Sequence, residues 1–297
     1  MLRKRSTLVV LVVAVALVAA ACSSDDGTIE GPTIKVGSAN FSESALVAEI
    51  YAQALEAEGY SVDRKLNIGS REIYKPALES GELDLIPEYI GTMLTNLGGI
   101  ATSDSASTHA ALQAAWEPMG ITILDYAAAQ DKNGIVVTKA TADEFGFATT
   151  SDLAALNGTL VFGGPPECPN REFCLIGLTD VYGLDFAEFM PLDVGGPITV
   201  TALESGEIDV ALLFTSSGVI LAKDFVLLED DLGLQPAENL APAVRDEIID
   251  AYGDGFRTVL NAVSAALTTE QLVELNKRVE IDGEDPDKVA ASWLEGI

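Results

Sequence analysis

Hydrophobic and polar positions follow one pattern that occurs twice along the chain. Residues 77–89 read ALESGELDLIPEY and residues 202–214 read ALESGEIDVALLF, so the same six residues precede a hydrophobic residue, Asp and a second hydrophobic residue. In each copy the pattern predicts a helix that ends at a left-handed glycine, Gly81 or Gly206, followed by a buried strand. The repeat therefore predicts two copies of the helix-to-strand half of an α/β unit.

The segments before each copy complete the unit. Residues 33–37 and 158–163 have strand composition, and apolar residues at helical spacing predict helices over residues 42–59 and near residues 174–182. The order strand, loop, helix, strand, helix, strand thus occurs twice. It predicts parallel sheets that are covered by helices.

Two further segments indicate how the halves are joined. Residues 133–138 and 225–230 have strand composition, lie on either side of the second unit, and are interpreted as crossings between two lobes. Two crossings imply a cleft between an α/β lobe I, residues 32–132 plus 231–297, and an α/β lobe II, residues 133–230. The returning part of lobe I is predicted to form helices over residues 242–252, 256–266 and 270–279.

Composition and charge restrict the function. The chain has 297 residues, 48% of them hydrophobic, which suffices for a large core or for two domains. Asp and Glu number 46 against 17 Lys and Arg, and the formal net charge is −29. Such a charge repels phosphate backbones and anionic lipid headgroups. We therefore expect a protein that does not bind nucleic acid and that is a soluble monomer.

The start of the chain predicts export. Residues 1–21 contain a short basic region and then 14 apolar residues, too few for the roughly 20 that span a bilayer as a helix. Small residues precede Cys22, as in a bacterial lipoprotein signal. We expect Cys22 to be lipidated and residues 22–31 to tether the protein to the extracytoplasmic face of the cell membrane. An ordinary cleaved signal with an incidental cysteine is the alternative.

Two other cysteines, Cys168 and Cys174, have five residues between them in the segment PPECPNREFCLIG. Outside the cytoplasm this pair is expected to form a disulfide that holds Glu167 and Arg171 in one conformation. Metal binding is the alternative, but two thiolates without a nearby histidine supply too few ligands.

The chain has few of the residues that enzymes use. His109 is the single histidine, and its context predicts a solvated position at a helix start. No G-x-S-x-G elbow, no G-x-G-x-x-G after a strand and no Walker loop occurs. We expect no catalytic residues, no metal and no cofactor. A lipid-anchored hydrolase stays as the alternative, because 46 acidic residues allow carboxylate pairs.

Four segments carry a resemblance to a known family. They are VGSANFSES at residues 36–44, IGSREIYKPALESGELDLIPEYIGT at residues 68–92, the Pro-Glu-Cys-Pro-Asn-Arg loop, and LNAVSAALTTEQLVELN at residues 260–276. Together they resemble the osmoprotectant-binding proteins of bacterial ABC importers, which bind glycine betaine, choline or carnitine. The resemblance implies a type II periplasmic-binding-protein fold whose lobes close on a quaternary ammonium compound. It also implies delivery of that compound to a membrane permease with its ATPase.

Elementary chemistry defines what such a site needs. A trimethylammonium group is a cation without an N–H donor, so a site must offer aromatic faces and carboxylate charge in a dry cleft. Each cation–π contact contributes ~0.5–2 kcal/mol, whereas micromolar affinity needs about 8 kcal/mol. Several contacts must therefore act together, with Arg or backbone N–H groups binding the anionic end of a zwitterion.

The resemblance assigns roles to individual positions. Tyr89 and Thr92, in PEYIGT, match the cage tyrosine of lobe I and its neighbouring hydroxyl. Glu167 and Arg171 match the acidic and carboxylate-binding residues of the lobe II loop. The loops at the cleft add further candidates: Asn40, Phe41, Ser42, Ser70 and Arg71.

The chain also departs from these relatives. Asn133, Phe214 and Glu238 stand where relatives often have other aromatic residues, and Thr215 adjoins Phe214 as a further candidate. The predicted aromatic cage is thereby reduced to Tyr89 and Phe214. A receptor for another small polar or aromatic solute, such as a polyol or a phenolic compound, is the alternative that this departure leaves open.

Each candidate also has a purely structural interpretation. Tyr89 and Phe214 can be core residues, and Arg171 can simply pair with Glu167. The segment from Asn40 to Ser42 can serve simply as a cap of the first helix, and the loop at Arg71 can be a plain turn.

Overall fold

The computed structural model describes residues 29–297. The predicted signal, Cys22 and most of the predicted tether lie outside the described residues. The strands are β1 Ile34–Gly37, β2 Val62–Lys65, β3 Leu85–Tyr89, β4 Ile121–Ile123, β5 Asn133–Thr138, β6 Val161–Gly164, β7 Glu188–Pro191, β8 Val210–Phe214, β9 Phe225–Leu227 and β10 Leu240–Arg245. The α-helices are α1 Ser42–Ala57, α2 Arg71–Ser80, α3 Ile90–Asn96, α4 Ser105–Trp116, α5 Lys139–Phe145, α6 Gly177–Asp180, α7 Pro197–Ser205, α8 Val219–Ala222, α9 Asp246–Tyr252, α10 Asp254–Ala266, α11 Thr269–Glu280 and α12 Pro286–Leu294.

The strands form two five-stranded sheets with the same plan. The first sheet has the order β2-β1-β3-β10-β4 and the second has the order β7-β6-β8-β5-β9. The first three strands of each order are parallel, as the repeated unit predicts, whereas β10 and β5 run antiparallel to both of their neighbours. Both sheets are therefore mixed, because the fourth strand in each order runs antiparallel to the other four.

The repeated sequence occupies equivalent places in the two sheets. The helices α2 and α7 end at Gly81 and Gly206, which have φ values of 80° and 73° and so confirm the predicted left-handed turns. The aspartate that follows each turn, Asp84 or Asp209, accepts a hydrogen bond from a backbone N–H of the neighbouring first strand, at 3.0 and 2.8 Å. The repeated aspartate therefore makes the same contact in both halves, where it joins the helix-to-strand unit to the neighbouring strand.

The structure corrects two predictions about the segments that join the sheets. The strands over residues 133–138 and 225–227 are not crossings, because they pair with each other inside the second sheet. The chain passes between the sheets just before β5 and again between β9 and β10, where Gln130 and Asn239 form an isolated bridge. Residues 242–245, which were predicted to begin a helix, instead belong to β10, since residues 240–245 bury their apolar side chains between β3 and β4.

The first helix is buried and starts without a side-chain cap. The N-cap position of α1 is Phe41, so the prediction that Asn40 or Ser42 caps the helix is wrong. The helix packs against the first sheet and against α10, α11 and α12. The apolar residues of these elements form the largest hydrophobic core within residues 29–297, and a separate core lies under the second sheet. Among residues 29–297, no helix has the length and apolar character that a membrane span requires.

Candidate functional site

A cavity of about 500 Å³ lies between the two sheets. Its walls come from the loop after β1, the start of α2, the junction of β3 and α3, the end of β8, and residues 165–174, which we call the disulfide loop. Most of the predicted ligand-binding residues line it. On the side of the first sheet these are Asn40, Phe41, Ser70, Arg71, Tyr89 and Thr92. On the side of the second sheet and in the segment before β10 they are Asn133, Glu167, Arg171, Phe214 and Glu238.

Two predicted residues, Ser42 and Thr215, do not line the cavity. The hydroxyl of Ser42 donates to Glu280 at 2.9 Å. The hydroxyl of Thr215 accepts a hydrogen bond of 2.9 Å from the backbone N–H of Lys132. Both side chains hold neighbouring segments together, so their prediction as cavity residues is corrected.

Three aromatic rings form one wall of the cavity, which we call the aromatic wall. The Phe41 ring centroid lies 6.0 Å from that of Tyr89 and 5.0 Å from that of Phe214. Phe41 and Tyr89 belong to the first sheet's side and Phe214 ends β8 of the second sheet. The wall is therefore assembled from both sheets, and Phe41 adds a ring to the two that the sequence predicted.

A buried carboxylate, Asp131, lines the same cavity. Its Oδ1 accepts a hydrogen bond of 3.1 Å from the backbone N–H of Ser216, whereas no described residue donates to Oδ2. Burial, with the nearby charge of Glu43, raises the pKa of Asp131 well above its ordinary value. Burial and the charges of Glu43 and Asp131 likewise raise the pKa of Tyr89. Asp131 thus places a carboxyl group beside the aromatic wall, and a cation bound there would favour its ionised form.

The PEYIGT motif holds a second buried carboxylate, Glu238. The hydroxyl of Thr92 donates to one oxygen of Glu238, and the backbone N–H of Gly91 donates to the other at 3.1 Å. A Cβ atom at position 91 would lie 2.6 Å from the carbonyl oxygen of Ala237, so only glycine permits this approach. Burial raises the pKa of Glu238 to about 7.

The two arginines of the cavity are paired with carboxylates of the protein. Arg71 donates to the buried Glu88 at 2.8 Å. Arg171 donates to Glu72 of α2 at 2.8 Å and lies 3.8 Å from Glu167. The Arg171–Glu72 pair connects the disulfide loop to α2, which belongs to the first sheet's side. The structure therefore shows a partner for Arg171 that the predicted i,i+4 pair with Glu167 did not anticipate.

The disulfide between Cys168 and Cys174 is present, and both cysteines belong to the cavity lining. The loop is held further through the carbonyl oxygen of Phe173, which accepts hydrogen bonds from Asn133 at 2.9 Å and from Gln235 at 3.0 Å. Asn133 thus fixes the cavity wall.

The structure places no catalytic constellation at this cavity. His109 lies outside it and is half-buried rather than simply solvated, because its Nε2 lies 2.8 Å from the carbonyl oxygen of Leu124. Within the part of the chain that the structure describes, no group of three or more His, Cys, Asp or Glu residues could hold a metal ion.

Several residues of the cavity were not among those that the sequence predicted. The main ones are Asp131, Tyr74 and Phe173. Asp131 stands two residues before β5, where the chain enters the second sheet, and this position at a crossing was the one available signal. Tyr74 lies one helical turn after Arg71, and its hydroxyl donates to Glu88 at 2.8 Å.

Comparison with known proteins gives a consistent result. The model of a family described as the substrate binding domain of an ABC-type glycine betaine transport system, OpuAC, matches residues 32–296. A glycine-betaine-binding protein of Pseudomonas aeruginosa is 29% identical over 282 residues, which cover 90% of this chain and 89% of that protein. The carnitine transport binding protein OpuCC of Listeria monocytogenes is 26% identical over 268 residues, which cover 89% of this chain and 86% of that protein.

A solved structure agrees with these sequence matches. The crystal structure of a glycine betaine/carnitine/choline ABC transporter superposes with a TM-score of 0.71 at 26% identity and covers 89% of this chain and 98% of that one. The similarity confirms the predicted fold class, a two-lobed α/β fold of the type II periplasmic binding proteins.

Proposed function

Because this chain belongs to the family of substrate-binding domains of ABC-type glycine betaine transport systems, we propose that it is the extracytoplasmic receptor of an ABC importer. It captures a quaternary-ammonium osmoprotectant, such as glycine betaine or choline, in the cavity between the sheets. Lobe I, residues 32–132 plus 231–297, closes against lobe II, residues 133–230. The loaded receptor then delivers the solute to a membrane permease that works with an ATPase.

One observation carries this proposal: the carboxylate of Asp131 and the aromatic wall of Phe41, Tyr89 and Phe214 line one cavity. A trimethylammonium group needs aromatic faces and a counter-charge, and it has no proton with which to satisfy a hydrogen-bond acceptor. The cavity also has more acidic than basic side chains. The acidic residues that line it are Asp131, Glu167, Glu172, Asp180 and Glu238, and the basic residues are Arg71 and Arg171.

Calorimetry of the purified protein tests the proposal. Glycine betaine, choline and carnitine are titrated beside a polyol and a phenolic compound, and one equivalent of a quaternary ammonium compound is expected to bind. Asp131→Asn should weaken that binding at least about tenfold, since opposite charges about 4 Å apart attract each other by about 4 kcal/mol at an effective dielectric constant of about 20. The matched control is Asp143→Asn at an exposed position outside the cavity, which should bind as wild type does. Failure of all three quaternary compounds to bind would refute the proposal.

The size of the cavity favours a second candidate. A volume of about 500 Å³ lies in the range of about 300–1,000 Å³ that holds drug-sized ligands. A larger polar or aromatic solute, such as a polyol or a phenolic compound, is therefore the alternative. Saturation by one of these compounds in the same titration, without binding of any quaternary compound, would establish it.

Capture without turnover is part of the proposal. The family consists of solute-binding domains, and the cavity offers neither an activated nucleophile nor an imidazole. Ligand recovered chemically unchanged after prolonged incubation supports a receptor. Recovery of a hydrolysis product would instead support the lipid-anchored hydrolase.

We also propose that the protein is a monomer, lipidated at Cys22 and tethered to the extracytoplasmic membrane surface by residues 22–31. The sequence pattern of the first 22 residues supports this proposal. Replacement of Cys22 by Ser is expected to release the protein from the membrane fraction, whereas Ser23→Ala should leave it bound. Sedimentation of the released protein as a single chain is expected. An equal membrane fraction for Cys22→Ser and wild type would contradict the anchor.

A further inference from the structure

A buried carboxylate that does not line the cavity connects the two sheets behind the aromatic wall. Glu43 lies in the first turn of α1 and is only 2% exposed. The Tyr89 hydroxyl donates to its Oε1 at 2.6 Å. The Ser216 hydroxyl and the Asn276 side-chain amide both donate to its Oε2. Tyr89 ends β3 in the first sheet, Ser216 follows β8 in the second sheet and Asn276 lies on α11, so one side chain joins three separate elements.

Two of these connections reach groups that line the cavity. The first is direct, because Tyr89 presents its ring in the aromatic wall while its hydroxyl is held by Glu43. The second runs through Ser216, whose hydroxyl donates to Glu43 while its backbone N–H donates to Asp131 at 3.1 Å. Glu43 thus fixes both groups that the proposed cation site needs. It holds the Tyr89 ring directly and the Asp131 carboxylate through Ser216.

We propose that Glu43 is a positioning residue that couples the orientation of Tyr89 to the docking of the Ser216 segment against α1. This inference rests on the proposed function, since it assigns to lobe closure the task of bringing the aromatic wall and Asp131 into their binding arrangement. When the lobes separate, Ser216 leaves Glu43, and the carboxylate loses one of the donors that fix it. The Tyr89 ring is then free to change its orientation.

The chemistry of the site requires a carboxylate at position 43. Both oxygens of Glu43 act only as acceptors, and three donors converge on them. A glutamine would place an NH2 group against at least one of these donors. Burial raises the pKa of Glu43, and the hydrogen bonds from Ser216, Tyr89 and Asn276 oppose this rise. The three donors therefore compensate the buried charge as well as fixing its position.

A spectroscopic experiment on the ligand-free protein tests the coupling. The chain contains seven tyrosines, and in protein labelled with 3-fluorotyrosine the resonance of Tyr89 is the one that Tyr89→Phe removes. Ser216→Ala removes a hydroxyl that donates to Glu43 and not to Tyr89, yet it should shift or broaden the Tyr89 resonance, and Glu43→Gln should do the same. Glu56→Gln makes the same chemical change at a partly exposed position of α1 and should leave this resonance in place. An unchanged Tyr89 resonance in Ser216→Ala would overturn the proposal.

A double-mutant cycle on ligand affinity gives a second test, with choline and glycine betaine as the probes. Tyr89→Phe and Ser216→Ala should each weaken binding about tenfold, because each removes a hydrogen bond to a buried charge. If Glu43 couples them, the double variant should be weakened little more than either single variant. Losses that multiply would show that the two contacts act independently and would contradict the coupling. Should wild type bind neither probe, the proposed function fails, while the fluorine resonance still decides the coupling.

Discussion

The guanidinium of Arg71 donates a hydrogen bond of 2.8 Å to the carboxylate of Glu88, and both side chains are buried. The hydroxyl of Tyr74 donates to the other oxygen of Glu88 at 2.8 Å, and the Arg71 guanidinium lies 5.8 Å from the centre of the Tyr74 ring. The charge of Arg71 is therefore balanced inside the protein. Arg71 forms part of the cavity wall, and its first role is to hold that wall together.

Removal of the charge of Glu88 should destabilise the fold. Breaking a buried ion pair by removing one partner costs about 3–5 kcal/mol, because the remaining charge is left without compensation. Glu88→Gln is therefore expected to lower the free energy of unfolding by about 3 kcal/mol or more in urea denaturation. The control is Glu79→Gln, which breaks the more exposed pair with Lys75 on the same helix and should cost less than about 1 kcal/mol. Equal unfolding free energies of the two variants would show that the buried ion pair stabilises the fold no more than the exposed pair does.

Each ring of the aromatic wall should contribute to ligand affinity. Tyr89→Ala removes one ring and should weaken a quaternary ammonium ligand by about 0.5–2 kcal/mol. The variant should remain folded, although the loss of a buried side chain lowers its unfolding free energy by about 3 kcal/mol. Phe145→Ala, which removes an exposed ring outside the cavity, is the control and should bind as wild type does. Calorimetry that finds equal affinity for Tyr89→Ala and wild type would remove Tyr89 from the site.

Local patterns predicted those parts of the fold that local interactions determine. The repeated ALESGE segments predicted both left-handed glycines, and they lie in equivalent places because Asp84 and Asp209 make the same contact. The pattern failed at residues 242–245, where an apolar run fits a helix and a strand equally well. That segment is a strand because β3 and β4, more than 110 residues earlier, leave a gap between them that it fills.

The candidate site was predictable where a residue stands in a distinctive motif, and much less so elsewhere. PEYIGT led to Tyr89 and Thr92, and both line the cavity. Asp131 gave no comparable signal, because it is one of 46 acidic residues. Its position depends on the backbone of Ser216, which is 85 residues away in the sequence. Such a contact exists only after the chain has crossed between the sheets and returned.

Protonation of Glu238 should make stability and affinity depend on pH in opposite directions. Its pKa is about 7 in the folded protein against an ordinary value of 4.5, since burial disfavours the charged form. The stability that comes from the protonated form is fully present below about pH 4.5 and is lost as the pH rises through about 7. Urea denaturation should therefore show a loss of up to about 3 kcal/mol for wild type over this range.

The variant Glu238→Gln separates this effect from the repulsion among the other acidic residues. Because glutamine does not titrate, the variant should lack the Glu238 share of the loss between about pH 4.5 and pH 8. A bound cation favours the ionised carboxylate, so wild type should bind a quaternary ammonium ligand more tightly at the higher pH and release protons on binding. Identical pH profiles of wild type and Glu238→Gln, in both stability and affinity, would contradict the raised pKa.

The ion pair between Arg171 and Glu72 should affect ligand release more than stability. It joins the disulfide loop to α2 across the cavity, and both side chains are partly exposed, so its contribution to the unfolding free energy should stay below about 1 kcal/mol. Glu72→Gln removes this contact between the two sides and should increase the dissociation rate several-fold in stopped-flow measurements. Raising the ionic strength from about 0.1 M to about 1 M shortens the screening length from about 10 Å to about 3 Å and should have the same effect on wild type. If salt increases the dissociation rate of Glu72→Gln as much as that of wild type, another ion pair controls ligand release.

The disulfide loop offers the last test, because it separates global stability from the shape of the cavity. Cys168 and Cys174 close a short loop, and the entropy of so few residues corresponds to only about 2 kcal/mol of stabilisation. The same loop carries Glu167, Arg171 and the cavity-lining ring of Phe173. The double variant Cys168→Ala with Cys174→Ala should therefore stay folded, yet bind ligand more weakly, because these side chains lose their common anchor. Mass spectrometry of wild type should show a gain of two hydrogens on reduction. Two free thiols in exported protein would contradict the bond, and unchanged affinity of the double variant would show that Asn133 and Gln235 alone suffice to hold the loop through the Phe173 carbonyl.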